Sequence, residues 1–285
     1  MKVEKVAVVT GTSTGIGYET SLMLARNGFL TFATMRNLNK SDNIRSIAAK
    51  ENLPIRITQL DVTDDVSIKN AVQTILTDKG RIDVLVNNAG YVLEGAFEDL
   101  SVDEIKAQYE TNVFGLIRTT QAVLPTKRKQ KSGIIVNISS AAGRFGYPGG
   151  SAYISTKFAV EGLSESMVYE LEPFGIKVII IEPGVIRTNI FDSVVVAKKS
   201  QDPNSPYTQI TQKMASAFEE MMKNASSPEL VAKVVLEAVT NENPNFRYLA
   251  GKDVENWLGA KRNMSDGVLQ NDETKLQVES IIHMQ

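Results

Sequence analysis

Tyr153 and Lys157 stand four residues apart in a stretch patterned as a helix, so their side chains share one face. A free phenol ionises near pH ~10 and is a poor base at neutral pH. An ammonium about 4 Å away is worth roughly 4 kcal/mol at an effective dielectric of about 20, or about three pKa units. Desolvation of the phenolate offsets part of that gain. Such a pair gives a tyrosine able to donate or accept a proton near working pH. Ser140 precedes Tyr153 by thirteen residues and ends an apolar run. Its hydroxyl is placed to hold a substrate oxygen and polarise a carbonyl. Ser139 points the other way, because neighbours on a strand alternate, and the offset favours Ser140. A second Tyr-x-x-x-Lys, Tyr248–Lys252, contains Gly251 and has Val235 where the matching serine would be. It reads as coincidence.

Proton exchange with a carbonyl oxygen needs a hydride partner, and the N-terminal residues suggest one. Thr10-Gly11-Thr12-Ser13-Thr14-Gly15-Ile16-Gly17 falls where a first strand turns into a first helix. Glycines there let backbone approach a pyrophosphate, whose charge suits a helix N-terminus. The end of the second strand reads Thr34-Met35-Arg36-Asn37. A carboxylate at that point would bond the adenosine ribose and repel a 2′-phosphate; Arg36 instead offers a planar guanidinium suited to phosphate oxygens. The pattern favours NADP(H) over NAD(H). Asp61-Val62, ending the third strand, would sit near the adenine, while Asp61 equally suits the cap region of the next helix.

The elements carrying these residues alternate. Strands are expected at Val6–Val9, Phe29–Met35, Ile55–Leu60, Ile82–Val86, Gly133–Ile138, Val178–Ile181 and Phe246–Leu249. Helices are expected at Ile16–Asn27, Asp64–Lys79, Asp103–Lys127, Ala152–Glu172, Thr211–Lys223 and Pro228–Val239. The strands are nearly continuous apolar runs, which marks a parallel sheet covered on both faces. The expected fold is therefore a doubly wound α/β Rossmann-type sheet with helices on both faces. One domain over 1–285 is the simplest organisation, with a substrate-loop insertion at about 189–227 and a loosely held tail from about Met264.

Gly11, Gly15 and Gly17, then Asn87-Asn88-Ala89-Gly90, Asn112, Ser140, Tyr153-x-x-x-Lys157 and Pro183-Gly184 follow one another in the order and spacing of the short-chain dehydrogenases/reductases. The chain resembles that family from residue 10 to about 188, and Met35-Arg36 is most similar to its steroid 17β-hydroxy and retinol dehydrogenase branches. The resemblance implies a nucleotide lying along Ser13, Thr14 and Ile16, passing Asn88, Ala89 and Gly90, and reaching Pro183, Gly184, Val185 and Thr188. It implies that Thr188 bonds the carboxamide and that Lys157 also binds the nicotinamide ribose. Asn112 would help hold a water that links Lys157 to solvent, and the Asn87–Gly90 run would mainly stabilise the sheet. A homodimer or homotetramer through the helices at Asp103–Lys127 and Ala152–Glu172 is implied as well.

Composition narrows the alternatives. With 31 basic against 33 acidic residues, nothing suggests a nucleic-acid or membrane-surface partner. The sequence contains no cysteine, which excludes disulfides and thiolate chemistry. The one histidine, His283, cannot build a metal site or a serine triad by itself. No stretch approaches the ~20 apolar residues of a membrane span, and a cytoplasmic protein is expected. Lys127-Arg128-Lys129-Gln130-Lys131 reads as a solvated helix end. Met214, Met221, Met222 and Phe218 suit either packing or a mobile lid over an apolar substrate. Phe145, Tyr147, Val185 and Tyr91–Leu93 outline a possible apolar pocket.

The leading expectation is an NADP(H)-dependent carbonyl reductase or alcohol dehydrogenase acting on a secondary alcohol and its ketone, or on an aldehyde/alcohol pair. A nucleotide-retaining epimerase or dehydratase is the second reading, though such enzymes carry a larger C-terminal substrate domain. A catalytically silent dinucleotide-binding protein is the third, and it would have no need to keep Ser140, Tyr153 and Lys157 together.

Overall fold

In the computed structural model, residues 4–188 and 194–262 are described. The chain runs β1 (Lys5–Thr10), α1 (Gly15–Arg26), β2 (Phe29–Met35), α2 (Asp42–Lys50), β3 (Ile55–Gln59), α3 (Asp65–Lys79), β4 (Val84–Asn87) and β5 (Leu93–Glu94). It continues through α4 (Val102–Tyr109), α5 (Gly115–Gln130), β6 (Gly133–Ile138), α6 (Ser151–Leu171), β7 (Ile176–Pro183) and β8 (Val195–Val196). It ends in α7 (Thr208–Lys223), α8 (Pro228–Thr240), β9 (Arg247–Ala250) and α9 (Lys252–Arg262).

Seven strands pair in parallel in the order β3-β2-β1-β4-β6-β7-β9. Alternate residues of β1 explain why its sequence is apolar throughout. Ala7 and Val9 enter a core with Leu24 of α1 and Val231 and Val235 of α8. Val6 and Val8 enter a second core with Ile68 and Ile75 of α3 and Val123 of α5. Both faces are thus covered, as the expected fold requires. β1 has β2 on one side and β4 on the other. Strand order reverses there, which opens a crevice at the carboxyl ends of the strands.

Three expectations change. The helix expected over Asp103–Lys127 is two helices joined by a π-helical turn at Glu110–Phe114. α4 has its own start, with Ser101 and Glu104 forming reciprocal caps. Lys127 is not solvated. It is fully buried, and its Nζ donates to the carbonyls of Ile82, Asp83 and Ile134 at 3.2, 2.8 and 3.2 Å. Burial pushes its pKa down to about 7, opposed by the nearby Asp83. The lysine pins α5 to the amino ends of β4 and β6, a role that a charge run does not reveal. Helices α2 and α9 and the rim pair β5–β8 lie outside the expected elements. The tail expected from Met264, and His283 within it, fall outside the described residues.

Candidate active site

The glycine turn after β1 is held by its neighbour strand. The Asn88 side chain donates to the carbonyls of Thr10 and Gly11 at 2.9 and 3.0 Å. Thr10 Oγ1 in return accepts from the backbone N–H groups of Asn88 and Ala89, both at 3.0 Å. Gly15 takes φ +64, and a Cβ on Gly17 would lie 2.4 Å from both Asn88 Nδ2 and the Gly11 carbonyl. Only glycine allows this approach. Thr14 caps α1 without a side-chain hydrogen bond, and α1 has no acidic residue in its first turn. The first-turn N–H groups and the helix dipole therefore face an open loop, and these features fit a dinucleotide pyrophosphate. Thr188 stands over Gly15, its Cβ 3.2 Å from where a Cβ there would be.

Arg36 is exposed, just beyond the buried Thr34 and Met35, and its carbonyl accepts from Gln59 Nε2 at 3.2 Å. Asp61 turns the chain before α3, its Oδ1 accepting from the N–H and Oγ1 of Thr63 at 3.0 and 2.8 Å. The helix cap itself is Asp64, which accepts from Val66 and Ser67. Val62 is buried against Gly115 at the start of α5.

The residues expected to do the chemistry converge at the carboxyl end of β6 and the first turns of α6. Ser140 caps a short 3₁₀ turn, its Oγ accepting from Ala142 N–H at 3.1 Å. The Ser140 hydroxyl acts on the Tyr153 phenol and lowers its pKa, and both residues line one cleft. Ser139 is buried beside Glu161 and Gly143. Lys157 Nζ donates to the Ile138 carbonyl at 2.9 Å and lies 5.6 Å from the Tyr153 ring centre.

The electrostatic balance differs from the expectation that Lys157 lowers the tyrosine. Burial pushes Tyr153 up to about 12, with the Ser140 hydrogen bond acting the other way. Burial also pushes Lys157 down to about 8, opposed by Glu161 one turn further along α6. Desolvation is the larger influence on both groups. Tyr153 is consequently a protonated donor at neutral pH.

Asn112, in the π-helical turn, accepts from Tyr91 N–H at 3.0 Å through Oδ1. Its Nδ2 donates to the Tyr91 carbonyl at 2.9 Å and to Thr156 Oγ1 at 3.2 Å. It joins the segment after β4 to α6 beside Lys157. Asn87 donates to Asn137 and Thr120, each at 2.9 Å, and so ties β4 to β6 and α5.

A cleft of about 450 Å³ opens over Ser140, Tyr153 and Lys157. Its walls are mainly apolar and include Tyr91, Val92, Phe145, Tyr147 and Val185, whereas Leu93 turns into the rim core. Met214, Phe218 and Met221 of α7 face the cleft, and Met222 is not part of its lining. Several contributors carried no sequence signal. Trp257 of α9 packs edge-on against Phe145 at 5.8 Å. Asp253 accepts from Val185 N–H at 2.7 Å and crowds Gly184, fixing the loop after Pro183. Phe97 and Glu94 line the rim. The coincidental pair separates: Tyr248 is buried in β9 and Lys252 is exposed. Among the described residues, no cluster of His, Asp or Glu could hold a metal ion, and no helix is long and apolar enough to cross a membrane.

Comparison with known proteins agrees with this geometry. Residues 5–199 match the family model for short chain dehydrogenase. The 3-ketodihydrosphingosine reductase of Bacteroides thetaiotaomicron is 34% identical over 251 residues, covering 88% of this chain and 89% of that protein. Human 17-beta-hydroxysteroid dehydrogenase type 1 is 33% identical over 252 residues, covering 85% and 76%. The crystal structure of a short-chain dehydrogenase from Streptomyces avermitilis superposes with a TM-score of 0.81 at 34% identity, covering 91% of this chain and 93% of that one. Matching structures include complexes with NADP and with NAD. This chain is a member of the short-chain dehydrogenase/reductase family and, by that membership, an oxidoreductase.

Proposed function

We propose that the protein is an NADP(H)-dependent reductase that interconverts a secondary alcohol and its ketone, or an aldehyde and its alcohol, with Tyr153 as the general acid/base. The observation that carries this reading is the Ser140–Tyr153–Lys157 constellation at the floor of an apolar cleft beside the glycine turn. NADPH, when bound, would supply the hydride for the carbonyl carbon. Ser140 and Tyr153 hold the carbonyl oxygen, and the Tyr153 proton moves onto that oxygen as the alcohol forms. Lys157 stabilises the phenolate left behind and would hold the nicotinamide ribose of a bound nucleotide. Asn112 positions the α6 face through Thr156. General acid catalysis of this kind is worth about 10²–10⁴ in rate.

Arg36 supports NADP(H), because it stands exposed at the end of β2 where NAD-binding sheets carry an acid. A relative named for reducing a ketone supports the carbonyl direction. The apolar aromatics left exposed on the α5 and α6 side, Phe114, Phe158 and Tyr169, favour a homodimer or homotetramer through that face. The segment with α7 acts as a lid, since Ala217 is its one buried residue while Met214 and Met221 face the cleft.

The test is oxidation of NADPH and NADH at 340 nm against a panel of apolar ketones and aldehydes. Turnover with NADPH preferred is the expected result; absence of nucleotide binding would overturn the reading. The pH profile adds a signed check. Lys157, held down to about 8, loses its charge above that pH and ceases to support the phenolate. Reductive kcat/KM should be level below about pH 8 and decline above it.

A further inference from the structure

Glu94 is the one carboxyl among the described residues that lines the cleft; the other charged lining side chain, Lys157, donates to the Ile138 carbonyl beside Tyr153. Its position is fixed by backbone. Glu94 ends β5, paired in register with Val196 of β8, and its carbonyl accepts from Ala197 N–H at 2.8 Å. Gly95 N–H donates to the Gly149 carbonyl at 2.9 Å, which ties this rim to the loop leading into α6. Leu93 packs in a small core with Leu100, Ala152 and Ala197. Strand alternation therefore sends the neighbouring Glu94 side chain to the opposite side, into the cleft.

The carboxyl has no counter-charge there. Twelve ion pairs join described residues and none includes Glu94. Burial raises its pKa, Tyr147 lies near enough to feel its charge, Val196 is its register partner, and Val92 and Phe97 line the same cleft. A carboxyl in an apolar wall is costly unless something in the cleft satisfies it. A neutral hydroxyl would offer it one donor. An ammonium would offer three donors and the missing charge.

We propose that Glu94 receives an ammonium group of the substrate, so that the cleft selects an amphiphilic carbonyl compound or alcohol carrying a primary amine. The proposal rests on reading this cleft as the substrate site of the oxidoreductase. The apolar wall takes the hydrocarbon, Ser140 and Tyr153 take the oxygen, and Glu94 takes the amine.

Trp257 is the single tryptophan of the chain and lines the same cleft, so binding can be read without turnover. n-Decylamine and n-decanol would be titrated by Trp257 fluorescence into the NADPH-saturated protein near pH 7.5, with Glu94→Gln and Glu94→Leu in parallel. Wild type should bind the amine about tenfold or more tightly than the alcohol, the scale of a charge-assisted hydrogen bond. Either substitution should bring that ratio close to one. Equal affinity in wild type, or an amine preference that persists in Glu94→Gln, overturns the proposal. A matched pair of alkyl ketones with and without an amine extends the comparison to kcat/KM. Loss of all NADPH turnover with the amine preference intact would refute the reductase reading and leave the Glu94 site standing.

Discussion

On the side of the cleft proposed to hold the nucleotide, Asn88 is bonded to Thr10 and Gly11, Thr10 is bonded back to Asn88 and Ala89, and Asn87 ties β4 to β6. On the side proposed to meet the substrate, α7 contributes Met214, Phe218 and Met221, with Ala217 as its one buried residue. The first wall is backbone and amide bonded in register with a parallel sheet. The second is flexible thioether and aromatic surface laid across the opening. A hydrogen-bonded wall holds a constant ligand at fixed distances, whereas an adaptable apolar wall can accept substrates of different shape. The same division explains how one family can keep its cofactor chemistry and vary what it acts on.

Substitutions on the two walls should separate accordingly. The largest effect on nucleotide binding is expected from Gly17→Ala, whose new Cβ meets Asn88 Nδ2 and the Gly11 carbonyl at 2.4 Å. A displacement of the turn on the order of 1 Å should weaken NADPH binding about 100-fold, measured by nucleotide fluorescence, for every substrate alike. Next comes Arg36→Asp, which should move the NADPH/NADH ratio of kcat/KM at least about tenfold toward NADH. An unchanged ratio would remove Arg36 from the phosphate site. The smallest effect belongs to the other wall. Met214→Ala should raise KM about fivefold for long apolar ketones, the scale of one or two lost methylene contacts, and leave NADPH affinity as in wild type. A matching loss of NADPH affinity would break the division between the walls.

The two walls were also unequally legible in the sequence. The strands announced themselves because a sheet covered on both faces needs apolar residues at consecutive positions, as Val6 to Val9 show. Tyr153, Lys157 and Ser140 were legible because a four-residue helical offset and a strand end leave few alternatives for their geometry. The substrate wall has no such period. Asp253 and Trp257 reach the site from α9, and Glu94 from a two-residue strand, through contacts far apart along the chain. Lys127 misled for a related reason. Its neighbours Arg128 and Lys129 suggest a solvated run, yet one position on the helix turns inward to three backbone carbonyls. The phenol was misjudged in sign because sequence supplies the lysine charge but not the depth of burial, which raises the Tyr153 pKa.

Tyr153 is proposed as the acid/base of a carbonyl reduction and not as a structural phenol. This role is tested most directly by Tyr153→Phe, with NADPH binding and ketone turnover measured on the same preparation. NADPH affinity should stay within about threefold of wild type while kcat falls by about 10³ or more. Turnover retained in the variant would contradict the assignment, because a phenylalanine ring has no proton to give.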